Sequence, residues 1–395
     1  MATPYRALFR APGSKAFCLA GLVARLALPM TGIGIITMLS QLQGSYSLAG
    51  MVAATFVLTY ALLSPQLSRL VDLYGQRRVL PVATAISALG LLLLAAVSWC
   101  EGPAWGLFIG AVLAGFMPSV SAMVRARWTV LYRAQPCLQT AYSLETVLDE
   151  LTFIVGPPLA VGLAVAVLAQ AAVLGAAVLL VIGVCALLVQ RSTEPAVEPR
   201  QAASARPASV IGLASVRLLA LLMVAMGVIV GTVDITSVAF AEQLGRPAAA
   251  SLVLSAYAVG SCASGLLFGA LVLKAPLPQQ LLWGSVATAL TTLPLMLVGS
   301  IPTLASAVLI AGVFFAPTMI VAMTVIERLV PEQQVTEGMT WLLAGLNVGV
   351  ALGAALSGQL VDHAGVRAAF SLALGGGGAV LLMALLACLR LRRLV

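Results

Sequence analysis

Charge is what this sequence lacks. Only 9% of its 395 residues are charged, 21 Lys and Arg against 13 Asp and Glu, where soluble domains carry about 25%. So few ionisable groups cannot coat a protein of this length in water. That excludes a soluble enzyme, a disordered chain and a nucleic-acid binder. Histidine occurs once, as His363, and the six cysteines are scattered without paired or Cys-x-x-Cys spacing. Neither a metal site nor a disulfide framework is encoded, and no catalytic triad or phosphate loop is present. No cofactor, metal or catalytic residue is therefore expected. A cleavable leader is not expected either, because the first apolar stretch is too long and lacks a small-residue cleavage site.

What is there is apolar. The apolar class makes up 61% of the chain, and the mean hydropathy is +1.09, so the solvent for most of this protein is lipid. A helix needs about 20 mostly apolar residues to cross the hydrocarbon core. Hydropathy and breakers give twelve such segments, near 16–39, 48–68, 79–99, 104–123, 140–166, 170–189, 216–241, 248–273, 281–298, 303–326, 338–360 and 368–389. Lipid offers no partner to backbone groups, and the runs are solid rather than alternating, so they read as helices and not as a barrel. The fold class is an all-α membrane protein of twelve transmembrane helices in two six-helix halves.

The basic residues set the orientation. With the N-terminus in the cytoplasm, 18 of the 21 fall in cytoplasmic segments, from Arg6 to Arg393, with Arg125, Arg127 and Arg133 among them. Arg246 and Arg367 lie outside, and Arg25 lies inside the first span. One missed helix would invert every later loop. The five Trp fall near predicted interfaces, Trp99 and Trp105 outside, Trp128, Trp283 and Trp341 inside. The single long break is 190–215, rich in Pro, Ala and charge. It reads as a flexible cytoplasmic linker between an N-terminal bundle, 1–189, and a C-terminal bundle, 216–395.

Two echoes run through the halves. Tyr60 in the second span corresponds to Tyr257 in the eighth. Leu70-Val71-Asp72-x-x-Gly75-x-Arg77 recurs as Leu360-Val361-Asp362-x-x-Gly365-x-Arg367, once on each side of the membrane. Inverted three-helix repeats nested in each half produce such a pattern. The glycine run at 375–378 lies inside the twelfth span and reads as close helix packing.

Ionisable groups within spans are costly and face the protein interior or a water-filled path. Arg25 lies roughly 14 Å deep at 1.5 Å per residue. Asp149 and Glu150 lie at a similar depth in the fifth span, and Glu145 and Asp149 share a helical face at i, i+4. Arg25 is expected to pair with Asp149 or Glu150, leaving the other carboxyl free to carry a proton. The alternative is a static ion network locking the first and fifth helices together. Asp234, in the seventh span, has only Thr232, Thr236 and Ser237 as polar company. It is a candidate proton carrier, an anchor for a cationic substrate, or a solvated carboxyl near the outer mouth.

The loop Ser68-Arg69-Leu70-Val71-Asp72-Leu73-Tyr74-Gly75-Gln76-Arg77-Arg78 resembles the G-x-L-a-D-r-x-G-r-k signature of the major facilitator superfamily, at the loop where that family carries it. Ser68, Leu73 and Gln76 depart from it, and Gly269 stands where the second half would carry the Asp. The resemblance implies that Asp72, Gly75 and Arg77 form a cytoplasmic gate that latches the halves together. In the fifth span, Thr152-x-x-x-Gly156-Pro157-Pro158 is similar to the Gly-Pro motif of the family's exporters. Pro157 and Pro158 remove helix bonds to the carbonyls of Phe153 and Ile154, so a kink is expected.

In this fold the first, fourth, seventh and tenth spans would line the cavity. Their mid-depth residues include Met30, Thr31, Phe116, Met117, Met226, Phe314, Phe315 and Met319, with Asn347 in the eleventh span the nearest polar exception. Met and Phe surfaces are adaptable and apolar, which suits a hydrophobic or amphipathic substrate better than a sugar. The resemblance implies a secondary transporter, not an enzyme: a proton-coupled antiporter exporting such compounds from a bacterial cytoplasmic (inner) membrane. It would be a multi-pass monomer with both termini cytoplasmic, whose partners are a small-molecule substrate, protons and the lipid bilayer. Two readings stay open beside it, a proton-coupled uptake symporter and a non-transporting receptor or scaffold on the same fold.

Overall fold

The computed structural model describes residues 2–43, 46–196, 208–246, 249–271, 273 and 275–391. Residues 197–207 of the linker lie outside the described residues, as do Arg200, Arg206, Lys274, Arg392 and Arg393. All regular structure among the described residues is helical. The N-terminal half comprises α1 (Ala2–Leu8), α2 (Ser14–Arg25), α3 (Ala27–Gln43), α4 (Tyr46–Tyr74), α5 (Gln76–Trp99), α6 (Ala104–Ala114), α7 (Val120–Tyr132), α8 (Cys137–Ala166) and α9 (Ala171–Val189). The C-terminal half comprises α10 (Ala214–Gln243), α11 (Ala249–Ala270), α12 (Leu277–Leu290), α13 (Ile301–Leu329), α14 (Val335–Ala364) and α15 (Val366–Leu391).

Eleven segments among the described residues are long and apolar enough to cross a membrane, the first of them, Ser14–Leu42, formed by α2 and α3 together. The expected fourth span is present but divided into α6 and α7 at residues 115–119, which makes the count consistent with twelve. Both interruptions sit beside a proline. Pro29 has no N–H to offer the carbonyl of Arg25, and Pro118 lies within the second break. By contrast, α8 runs as one element, Cys137–Ala166, with Pro157 and Pro158 inside it. Gly156 serves a close approach there: a Cβ at this position would lie 2.7 Å from Pro29 Cγ.

Small residues set the spacing elsewhere too. A Cβ on Gly227 or Gly231 of α10 would lie 2.2 Å or 2.1 Å from a carbonyl oxygen of α14. Gly349 and Gly353 of α14 meet α10 carbonyls in the same way, at 2.0 Å and 2.4 Å. These helices therefore touch backbone to backbone, as small residues permit in membranes. Of the run at 375–378, Gly376 and Gly377 make close contacts, while Gly375 and Gly378 face open space. Large apolar side chains such as Leu62, Val165 and Leu252 stay about 70% exposed, as a lipid-facing rim requires.

The inverted echo has a structural counterpart. Gly75 alone separates α4 from α5, with φ 86° and ψ 154°. Gly365 alone separates α14 from α15, with φ 82° and ψ 169°. Each donates its N–H to the fourth preceding carbonyl in the same way, Gly75 N to Val71 O at 2.8 Å and Gly365 N to Val361 O at 3.1 Å. Such dihedrals are open to glycine almost alone. The face of the bundle holding Gly75 and the linker ends is called the linker face below; Gly365 lies on the opposite face.

Candidate functional site

Three helices bring a buried ion network together in the N-terminal half. Arg25 is the last residue of α2, where a helix favours a cation. Glu145 and Asp149 share one face of α8, and Ser121, Arg125 and Trp128 line one face of α7. Arg25 forms a close ion pair with Glu145 and a second with Asp149 at 3.0 Å. Arg125 holds the other oxygen of Asp149 at 2.7 Å, and the Ser121 hydroxyl donates to the same carboxylate. The Trp128 Nε1–H donates to Glu145 at 2.7 Å, and the Cys18 thiol approaches it at 3.8 Å. Two cations face two anions, so the network is neutral.

Arg125 and Arg127, assigned from the sequence to a cytoplasmic segment, are both completely buried. The fourth span continues as α7 beyond the end of its apolar run and carries them inside. Trp128, read as an interface residue, is also completely buried. The signal that could have found this face is the spacing Ser121, Arg125, Trp128, at i, i+4 and i+7. Of the two pairings expected for Arg25, the one with Asp149 is present and Glu145 joins it, while Glu150 stands outside the network.

Glu150 lies one residue and about 100° further round α8, and it faces the other half. Its carboxylate accepts from the Ser261 hydroxyl and from the Cys262 thiol, at 3.6 Å, both on α11. Asp234 is half-buried on α10 and has no hydrogen-bond or ion-pair partner among the described residues. Tyr257 of α11 lies one turn before Ser261. Its ring packs on Phe315 at 5.8 Å, and its hydroxyl is buried without a partner among the described residues.

Hydrogen bonds and ion pairs join the halves at the linker face. Asp72 accepts the backbone N–H of Glu337, in the first turn of α14, at 2.8 Å. Ser68 and Thr340 share a hydrogen bond of 2.7 Å. Thr140 donates to the Gly269 carbonyl at 2.6 Å, Tyr5 donates to that of Leu266 at 2.6 Å, and Arg133 reaches Glu327 at 3.5 Å and Glu332 at 2.7 Å. Linker residues dock here too. Arg127 donates to the Gln190 carbonyl at 2.7 Å, and Glu337 accepts the N–H of Val210 at 3.2 Å. Of the predicted gate trio, Asp72 bridges the halves, Gly75 forms the joint, and the Arg77 backbone N–H donates to Glu194 at 3.0 Å.

The predicted substrate-lining residues divide by burial. Met30, Thr31, Met117, Met226, Phe315 and Met319 are buried; Met30 approaches Gly175 of α9 and Gly156 of α8 inside the N-terminal half. Phe116 and Asn347 are partly exposed, and Phe314 is 37% exposed.

The model of the Major Facilitator Superfamily matches residues 17–245 and again 218–394. Among solved structures, a bacterial homologue of the iron transporter ferroportin in the outward-facing state is similar at TM-score 0.74 and 15% identity, covering 96% of this chain and 99% of that one. The E. coli fucose:proton symporter FucP is similar at TM-score 0.69 and 14% identity, over 95% and 98%. The human organic anion transporter MFSD10 is similar at TM-score 0.67 and 16% identity, over 96% and 100%. At these identities the likeness establishes the fold. No curated protein sequence matches significantly.

Proposed function

The chain belongs to the major facilitator superfamily, and on that premise we propose that it is a proton-coupled antiporter. It exports small hydrophobic or amphipathic compounds by rocking its halves about a midplane site. The linker face is cytoplasmic, the membrane is a bacterial cytoplasmic membrane, and the working unit is the monomer. The observation that carries this reading is the pair Glu150 and Asp234: two carboxyls within spans, one in each half, with no basic partner among the described residues. A scaffold has no need to bear their cost. Arg25, Glu145 and Asp149, neutralised together with Arg125, support the static reading of that network and leave proton carriage to the other two. The Gly156-Pro157-Pro158 segment and the Met and Phe surfaces support export of apolar compounds.

The test is transport in proteoliposomes with an imposed pH gradient and a panel of amphipathic compounds. Glu150→Gln and Asp234→Asn should each abolish gradient-driven movement, while both remain folded. Substrate moving with the protons instead of against them would make the protein an uptake symporter. No movement of any compound or of protons would make it a receptor or scaffold.

A further inference from the structure

We propose that Arg6, Arg10 and Lys15 bind the headgroup of an anionic phospholipid, and that this lipid holds the linker face closed through α1, which straps the two halves together.

Charge carries the binding. Arg6, Phe9, Arg10 and Lys15 line one open basin where α1 turns into α2. All three cations are exposed, and none has an ion-pair partner among the described residues. The first acid in the chain is Asp72, and it is engaged by α14. Gly13 offers α2 no side-chain cap, and the first N–H groups of a helix favour an anion. A phosphate group supplies the missing charge. Position selects a lipid over a soluble anion. Lys15 is the second residue of the first membrane-crossing segment, Ser14–Leu42, at the level of the headgroups. One turn further along the same face of α2, Leu19 is 62% exposed, so an apolar path for an acyl chain continues below the charges. Each basic side chain at such a surface strengthens binding of anionic lipid about fivefold.

The strap is built from contacts on both halves. Leu8 is completely buried, and its carbonyl accepts from the Tyr132 hydroxyl of α7 at 2.9 Å. The Phe9 ring meets Trp128 of α7 edge-on, with centroids 6.2 Å apart. These contacts fasten α1 to the N-terminal half. Tyr5 crosses the seam between the halves, where its hydroxyl donates to the Leu266 carbonyl of α11 at 2.6 Å. Gly269 leaves room for it: a Cβ there would lie 2.6 Å from the Tyr5 hydroxyl and 2.4 Å from Ser143 Cβ of α8. The Tyr5 hydroxyl therefore sits where α8 meets α11. Parting the halves on this face breaks its bond, so a lipid that fixes α1 has a higher affinity for the closed state and favours it.

The experiment uses the full chain in two settings. In micelles, native mass spectrometry compares bound phosphatidylglycerol with phosphatidylcholine of the same acyl chains. Phosphatidylglycerol should bind at least tenfold tighter. Arg6→Gln, Arg10→Gln and Lys15→Gln should each weaken it about fivefold, and the triple variant at least fiftyfold. In nanodiscs, disulfide formation in a Ser68→Cys/Thr340→Cys background reads closure at a second contact between the halves, α4 on α14, with the cross-link located by peptide mapping. Adding phosphatidylglycerol to a phosphatidylcholine disc should speed it severalfold. Tyr5→Phe keeps the basin but loses the bond to Leu266, so it should bind the lipid within twofold of the parent and lose the acceleration. Each variant is checked by thermal melting; if the triple variant does not fold, the three singles decide. Equal affinity for the two lipids, a folded triple variant within twofold of the parent, or displacement of phosphatidylglycerol by millimolar inorganic phosphate would overturn the lipid site. A cross-linking rate indifferent to phosphatidylglycerol, or an acceleration that survives Tyr5→Phe, would overturn the strap. Neither setting needs a transported substrate, so these outcomes are separate from those that test the antiporter reading.

Discussion

Replacing Glu145 with Gln isolates the charge in the buried network. The amide keeps the shape and still accepts the Trp128 indole N–H, which lies 2.7 Å away. What changes is the balance: two guanidiniums, Arg25 and Arg125, are left with the single carboxylate of Asp149, which is only 14% exposed. Removing one partner of a buried ion pair costs about 3–5 kcal/mol, because the other charge is left uncompensated. Arg25→Met alone leaves the opposite excess and should cost a similar amount. The double variant restores neutrality with Arg125 and Asp149 still paired, so its cost should fall about 2–3 kcal/mol below the sum of the singles. The assay is unfolding of the purified protein in mixed micelles by titrated dodecyl sulfate, followed by tryptophan fluorescence, with all four members of the cycle. Singles within about 1 kcal/mol of the parent, or costs that simply add, would refute a locking role for this network.

Three further outcomes follow from the packing and the gate. Gly231→Val places side-chain atoms where a Cβ already lies 2.1 Å from the Val350 carbonyl, so it should destroy the monodisperse folded form, while Gly375→Ala, facing open space, should elute and melt like the parent. Gly75→Ala and Gly365→Ala should each lower stability by about 1–3 kcal/mol, since the joint dihedrals suit glycine, read as a lower sulfate midpoint in the same titration. Asp72→Asn removes the charge from the bond to Glu337 N–H, one of the stronger kinds of hydrogen bond. In a Ser68→Cys/Thr340→Cys background, where the parent oxygens are 2.7 Å apart, it should slow disulfide formation severalfold; an unchanged rate would mean that the latch does not hold the halves.

The spans were legible in the sequence because lipid leaves backbone groups no alternative to helices. The joint glycines were legible too, since Gly75 and Gly365 sit in the same eight-residue pattern and adopt nearly the same dihedrals. The division of the fourth span was not, because hydropathy averages over the five residues where α6 stops and α7 begins. The burial of Arg125 and Arg127 was not legible for a related reason. A basic residue at the edge of an apolar run reads as a topology signal, and only the tertiary fold shows α7 turned inward. The partner of Arg25 illustrates the limit at single-residue scale. That Glu145 and Asp149 share a face, and that Glu150 does not, follows from helical geometry; which face meets α2 does not.

The bonds also differ in kind according to where they lie. Inside the N-terminal half, α2, α7 and α8 are joined by ion pairs with side chains almost wholly buried, which hold best where water is excluded. Between the halves, hydrogen bonds take over from buried ion pairs: Glu337 N–H to Asp72, hydroxyl to hydroxyl at Ser68 and Thr340, hydroxyl to carbonyl at Thr140 and Gly269, hydroxyl and thiol to Glu150. The ion pairs of Arg133 cross the seam, but its side chain is 35% exposed, where such pairs contribute at most about 1 kcal/mol. A load applied to α8 therefore yields first at the face that carries Glu150 and last at the face that carries Asp149. Two adjacent residues mark the boundary between the part that moves as a body and the seam at which it parts.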